Sequence, residues 1–281
     1  GDRTLLVVTR GFRDQLRIAY QARPRLFDKH IVLPEMLYER IEEVTERVDA
    51  NDNIIVPLDL DDLEPRLRSA HDEGIRAIAI VLMHGYRVTA HEEKIAALAK
   101  TIGFSQISTS HATSPMIKFV GRGDTTVADA YLSPILRRYV DQLATDLDGS
   151  TQTKLQMMQS NGGLTDAALF QGKDAILSGP AGGIVGAVKT ANQAGFDKVI
   201  TFDMGGTSTD VAHHDGRYER VFDTMVAGVR IHAPMLLIHT VAAGGGSLCR
   251  FDNGRFQVGP ESAGANPGPA CYRRGGPLAV T

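Results

Sequence analysis

Apolar positions in this chain fall into short continuous runs separated by helix-spaced stretches. Leu5-Leu6-Val7-Val8 predicts a strand. Arg10-Gly11-Phe12-Arg13-Asp14 follows, then a helix-like stretch reaching about Gln21. Residues 28–57 read as irregular with short strands, and the charged run from Glu39 to Arg47 as a solvated face. Leu60 to Glu73 predicts a helix ended by Gly74. Ala77 to Met83 is a fully apolar run, the pattern of a strand buried on both faces. His91 to Lys100 predicts a helix stopped at Gly103, and Gln106-Ile107-Ser108 begins another strand. Alternating helix and strand in this way argues an α/β layer with parallel strands.

The second half reads differently. Thr125 to Leu147 predicts a long amphipathic helix with a kink at Pro134. Leu155 to Met158 predicts a strand, turned at Asn161-Gly162-Gly163. The glycine-rich run from Ser178 to Ala187 leads into a helix ending near Ala194. Val199 to Phe202 reads as a buried strand, Val211-Ala212 as the start of its return, and Gly205-Gly206 as the hairpin tip between them. Further strands lie near Ile231 and Leu237. The tail from Gly259 to Gly276 holds too much glycine and proline for regular structure throughout.

That hairpin carries candidate chemistry. Asp203-Met-Gly205-Gly206-Thr207-Ser208-Thr209-Asp210 sets two carboxylates around two glycines and three hydroxyls. Glycine lets backbone approach a ligand closely, and a row of N–H groups makes an anion cradle. Hydroxyls add donors, and Asp203 and Asp210 are oxygen ligands suited to hydrated Mg²⁺. An ordinary hairpin with a polar tip is the plainer reading. Gly244-Gly245-Gly246-Ser247 after a strand is either a flexible turn or a second wall contacting a nucleotide. The small residues Gly182, Gly183 and Gly186 suit close helix packing or a hinge.

Composition limits the alternatives. The chain has 281 residues, enough for one large or two ordinary domains. A net charge of −3 gives no reason to expect nucleic acid or an acidic membrane surface, and no apolar stretch is long enough for a membrane span. Cys249 and Cys271 are too few for a disulfide framework, suit a reducing compartment such as the cytoplasm, and read as packed thiols. Gly1-Asp2-Arg3 at the start and the abrupt stop at Thr281 suggest a piece of something longer. The dinucleotide fingerprint fails at Ala181, and a Walker A loop fails at Ala167 and Asp174. His213-His214 lies on a strand where neighbours face opposite ways, which disfavours a shared zinc ion. His84 and His111 read as satisfied polar groups at strand ends. No Gly-x-Ser-x-Gly elbow occurs, so serine hydrolase chemistry has no support.

Eight strings, in one order along the chain, carry a resemblance. They are Val8 to Asp14 (VTRGFRD), Val81 to Tyr86 (VLMHGY), Asp129 to Pro134 (DAYLSP), Met158 to Leu164 (MQSNGGL), Leu177 to Gly186 (LSGPAGGIVG), Phe202 to Val211 (FDMGGTSTDV), Thr240 to Ser247 (TVAAGGGS) and Val258 to Pro277. The chain resembles the hydantoinase A/oxoprolinase family. Arg122 to Tyr131 (RGDTTVADAY) and the ending CYRRGGP look like its ATP-dependent 5-oxoprolinase branch.

The resemblance implies an α/β, actin-like ATPase (ribonuclease H-like) fold, incomplete, with parts of two α/β domains. Residues 1–120 would be the C-terminal part of the N-terminal domain and 121–281 the N-terminal part of the ATPase domain. It implies ATP and Mg²⁺ as cofactors. Asp203 and Asp210 would be the metal-orienting catalytic residues. Gly205, Gly206, Thr207, Ser208, Thr209, Gly244, Gly245, Gly246 and Ser247 would contact the nucleotide. The implied reaction opens 5-oxo-L-proline to L-glutamate: the lactam oxygen is phosphorylated, then water adds. Hydantoin hydrolysis or ketone carboxylation with ATP is the alternative, and a non-enzymatic actin-like ATP switch a more distant one. The implied partners are the small cyclic amide and a hydantoinase B-type subunit or fused domain. The family's first phosphate hairpin, expected near the N-terminus, does not occur before Arg10. Losing one wall of a charge-stabilising site costs orders of magnitude in rate. The chain alone is therefore expected to be inactive and to bind ATP weakly. Arg122, Arg230 and the Arg273-Arg274 pair are each either a fork for the substrate carboxylate or a structural arginine.

Overall fold

The computed structural model describes residues 1–20, 27–31, 33, 35–147 and 154–281. The predicted end of the first helix at Gln21 lies outside the described residues. Contacts divide the chain into two compact units. One holds Gly1–Met157, Leu164–Ile176 and Phe222–Pro234; the other holds Met158–Gly163, Leu177–Val221 and Met235–Thr281.

The first unit follows the predicted alternation. Its elements in order are β1 (Thr4–Thr9), α1 (Gln15–Ile18), β2 (Arg40–Val44), β3 (Arg47–Val48), β4 (Ile54–Val56), α2 (Leu60–Asp72), β5 (Ala77–Val81), α3 (Ala90–Ile102), β6 (Gln106–Thr109), α4 (Ser110–Thr113) and α5 (Phe119–Leu147). Strands β2-β1-β5-β6 form a parallel sheet in that order. Alternate residues of β1 and β5 serve opposite faces. Leu5, Val7, Ile78 and Ile80 pack with Leu63 and Leu67 of α2 and Ile95 of α3. Leu6, Val8, Ala79 and Val81 pack with Leu16, Val127 and Ala130 on the other side. Both faces being covered explains why these strands read as unbroken apolar runs. Asp59 caps α2 by accepting from the Asp62 N–H at 3.0 Å, and Gly103 ends α3 in the left-handed region.

Two expectations need correcting here. Most of the charged run from Glu39 to Arg47 is not a solvated face; Arg40–Val44 of it form β2 and enter the sheet. Glu46 is buried, accepting from Thr9 Oγ1 and pairing with His91 Nδ1 at 2.9 Å, while Arg40 and Arg66 both reach Glu42. Charge at Glu42 and Glu46 is internal pairing, while Glu39 at the start of the run stays exposed and pairs with Arg3 at the surface. The long helix also starts earlier than Thr125, at Phe119. Gly121 and Gly123 are poor helix formers, but a Cβ at Gly123 would sit 2.6 Å from Leu16 Cδ2 and one at Gly121 3.5 Å from His232 Cβ. The missing side chain of Gly123 admits Leu16, whereas a Cβ at Gly121 would make only ordinary contact, and the first half of α5 is buried around most of its circumference rather than amphipathic.

Beyond α5 come β7 (Gln156–Met158), β8 (Leu164–Asp166), α6 (Gly172–Ala175), α7 (Ser178–Gln193), β9 (Lys198–Met204), β10 (Thr209–Asp215), β11 (Arg220–Val226), β12 (Val229–Leu236), β13 (His239–Val241), β14 (Ser247–Asp252) and β15 (Arg255–Ser262). In the second unit β13-β10-β9 form an antiparallel sheet. Ala181, Ile184 and Val188 of α7 pack on it with Ala212 and Leu236. The glycine-rich run is itself the start of α7, not a lead into it. The prediction of a buried strand at Val199 to Phe202 holds for the strand and fails for the burial. β9 is an edge strand, and Ile200 and Phe202 are 74% and 70% exposed. Cys249 and Cys271 are exposed thiols rather than packed ones. Among the described residues no helix is long and apolar enough to cross a membrane.

Candidate functional site

The sequence candidates gather at one end of the β9–β10 hairpin. Register places Asp203 opposite Asp210 and Met204 opposite Thr209. The Gly205 N–H donates to Ser208 O at 2.9 Å and closes the tip. Strand β13 extends the sheet, with Asp210 opposite Thr240, whose hydroxyl donates to Asp210 Oδ1 at 2.6 Å. Asp203 has no such partner among the described residues and is exposed. Asp203 and Asp210 both border an open hollow of about 440 Å³ shared with Gly183, Ile184 and Ala187 of α7.

The Gly244–Ser247 run lies directly against this tip. Gly245 N–H donates to Gly205 O at 2.9 Å, and Gly246 N–H donates to Gly206 O at 2.7 Å. Thr209 Oγ1 donates to Ala243 O at 2.6 Å, and Gly244 N–H to Ser247 Oγ at 3.0 Å. A Cβ at Gly244 would stand 2.6 Å from Gly205 O, closer than packed atoms allow. Glycine here serves backbone-to-backbone approach. The two loops thus differ in what they have left to offer. The amides of Gly244, Gly245 and Gly246 are spent inside the molecule. Those of Gly206, Thr207 and Ser208 have no acceptor among the described residues. The sequence grouped all these glycines together; only their hydrogen bonds separate a brace from an open row of donors. Replacing Gly244 by valine is expected to pry the loops apart. Amide exchange at Gly245 and Gly246 should quicken at least about tenfold, read by hydrogen exchange. Unchanged protection would contradict the brace.

Two of the eight strings, Val8 to Asp14 and Val81 to Tyr86, meet at the carboxyl ends of β1 and β5. In open parallel sheets the crevice lies at the carboxyl ends of strands whose connections diverge. β1 leads to β2 on one side and β5 to β6 on the other, so Arg10-Gly11 and Leu82-Met83 flank that point. It is sewn by internal bonds: Met83 N–H donates to Thr9 Oγ1 at 3.0 Å, and Arg122 Nη2 donates to Leu82 O at 2.6 Å. Of the candidate arginines, Arg122 is therefore structural. It is fully buried, and burial pulls its guanidinium below its ordinary value. His111 is satisfied by Glu92 at 2.7 Å, which raises its pKa. His213 pairs with Glu219, and His214 Nδ1 contacts Asp197 O. Arg273 and Arg274 are exposed.

Arg230 differs, and so does a residue the sequence reading passed over. Strands β11 and β12 turn at Ala227-Gly228, both with positive φ, the two-residue hairpin geometry. The hairpin docks on α5: His232 N–H donates to Thr125 Oγ1 at 2.7 Å. This sets Arg230 Nη1 2.9 Å from Asp124 Oδ2, with both side chains more than four-fifths buried. Burial lifts Asp124 to about 6 although Arg230 opposes it. The sequence shows Asp124 only as one polar residue of the mixed run from Val120 to Ala130, which also holds Arg122 and Asp129, so nothing local singled it out.

Comparison with known proteins bears on both regions. Residues 122–281 match the model of the hydantoinase/oxoprolinase family, and residues 1–103 match its N-terminal region. The chain belongs to the hydantoinase/oxoprolinase family. It is 45% identical to 5-oxoprolinase 1 of Arabidopsis thaliana and 41% identical to 5-oxoprolinase of Saccharomyces cerevisiae, in each case over 100% of this chain. It spans 24% of the length of those relatives. The crystal structure of an ATP-dependent caprolactamase from Pseudomonas jessenii superposes with a TM-score of 0.84 at 32% identity, covering 100% of this chain and 42% of that one. The mixed α/β architecture with its parallel sheet is thus a hydantoinase-family fold.

Proposed function

We propose that this chain supplies part of the nucleotide site of an ATP-dependent 5-oxoprolinase, which opens 5-oxo-L-proline to L-glutamate. One observation carries the reading: the open amides of Gly206, Thr207 and Ser208 stand at a tip braced by Gly244–Gly246. Such a row suits phosphate oxygens, and the tip carries no side-chain cation that would compete. The relatives' names add the substrate. Bound ATP with Mg²⁺ would supply the phosphoryl group that activates the lactam oxygen. An unactivated amide resists water because its nitrogen donates into the carbonyl.

The chain's own residues have defined tasks under this reading. The Gly206–Ser208 amides orient the phosphates and stabilise charge that builds on them. The hydroxyls of Thr207 and Ser208 add donors. Asp203 and Asp210, opposite one another on β9 and β10, are the oxygen ligands for Mg²⁺ or its waters. Thr240 fixes the Asp210 carboxylate. Residues 1–120 and 121–281 act as parts of two domains, and a B-type subunit or fused domain completes the cytoplasmic enzyme.

The test measures ATP hydrolysis by the complete enzyme with 5-oxoproline, hydantoin, caprolactam or acetone as co-substrate. Stimulation by 5-oxoproline at least about tenfold over the others is expected, in line with the discrimination a site built for a polar group achieves. Preference for another compound assigns the chain to a different branch.

A further inference from the structure

Resting on the 5-oxoprolinase reading, we infer that the cavity beside the Asp124–Arg230 pair is the substrate pocket, taking a small cyclic amide that bears a carboxylate. The cavity measures about 90 Å³ and is lined by Leu16, Tyr38, Asp124, Val127, Met225 and Arg230, among others. A water needs roughly 10–15 Å³ on this scale, so there is room for about six to nine waters. That volume suits a five-membered ring with one substituent and excludes a nucleotide.

Its chemistry is selective. Leu16 of α1 and Val127 of α5 give the cavity an apolar side, as the methylenes of a small ring require. One cation enters this wall. Arg230 spends Nη1 on Asp124 and lies over the Tyr20 ring, 4.6 Å from its centroid. Its Nε and Nη2 have no acceptor among the described residues. A half-used guanidinium fork in an apolar cavity is suited to a carboxylate. Asp124 Oδ1 is likewise without a donor among the described residues and can accept a ring N–H. Bringing a second carboxylate toward Asp124 would ordinarily be repelled. Here burial has already raised Asp124 to about 6, so taking up a proton near neutral pH costs it little. Glu35 and Tyr38 face the same cavity from the segment before β2.

The placement also accounts for the string Arg122-Gly123-Asp124-Thr125, which the phosphate tip leaves unused. Arg122 fixes the start of α5, Gly123 admits Leu16, and Thr125 holds the hairpin that delivers Arg230. Of these four, Asp124 lines the pocket, and the other three hold the elements around it.

The experiment compares Arg230→Met with the unaltered complete enzyme, using 5-oxoproline and 2-pyrrolidinone, the same ring without the carboxylate. The ratio of kcat/KM for the two compounds should collapse by roughly ten- to a hundredfold, the range for a hydrogen bond to a charged group. KM for ATP should stay put. Met225→Trp, a change at an exposed rim position, should raise KM for both compounds alike without touching the ion pair. It keeps the test open if Arg230→Met does not fold. An unchanged ratio in the first variant, or an unchanged KM in the second, overturns the pocket. An unaltered enzyme whose ATP hydrolysis ignores 5-oxoproline overturns the functional reading instead.

Discussion

Replacing Arg122 by methionine is expected to destabilise the first unit by about 3–5 kcal/mol, the range for removing one member of a buried charge network. Methionine fills comparable space, so the loss is polar rather than a cavity. Nε donates to Ser110 Oγ at 2.9 Å, Nη1 to Met116 O at 2.7 Å and Nη2 to Leu82 O at 2.6 Å. The plane also lies 5.4 Å from the Tyr86 centroid and 5.7 Å from that of Phe119. After substitution those carbonyls lose their donors inside the protein, and each orphan costs about 1–3 kcal/mol. Glu92, fully buried, also loses its nearby cation. Urea denaturation followed by hydrogen exchange at amides of β1 and β5 reads the effect in the first unit. A stability within about 1 kcal/mol of the parent would mean that water replaces the guanidinium.

Changing Asp203 to asparagine should lower kcat for 5-oxoproline-dependent ATP hydrolysis in the complete enzyme by about 10²–10³-fold, the scale for one element of a charge-stabilising site. Stability should barely move, because Asp203 is exposed and makes no side-chain bond among the described residues. Asp210→Asn should differ in kind. Thr240 donates to its carboxylate, so that change weakens the β10–β13 edge as well. Comparing the two variants by turnover and thermal melting separates chemistry from scaffold. Asp203→Asn turnover within threefold of the parent would remove that carboxylate from the site.

The parallel sheet was legible because β1 and β5 are buried on both faces, leaving an unbroken apolar signature in Leu5–Val8 and Ala77–Val81. Burial of β9 was misread for the same reason. Val199-Ile200-Thr201-Phe202 carries that apolar signature, yet β9 sits at an edge. An apolar run reports what a strand can bury, not what covers it. Glu46 shows the reverse limit. Its pairing with His91 spans 45 positions, and nothing local separates an internal acid from a surface one. At the candidate site the residue types of the hairpin were legible. The division of labour between glycines was not, since it depends on which amides reach Gly205 O and Gly206 O. Asp124 was visible within a quoted string, but its partner stands 106 positions away on a hairpin.

The open side of β9 has a practical outcome. Ile200, Phe202 and Met204 form an exposed greasy row along a strand whose outer edge pairs with no other strand among the described residues. Such a border is a template for strand addition. Handled by itself, this polypeptide would self-associate through that border, and charged substitutions at Ile200 and Phe202 would be the first remedy for a sample that precipitates.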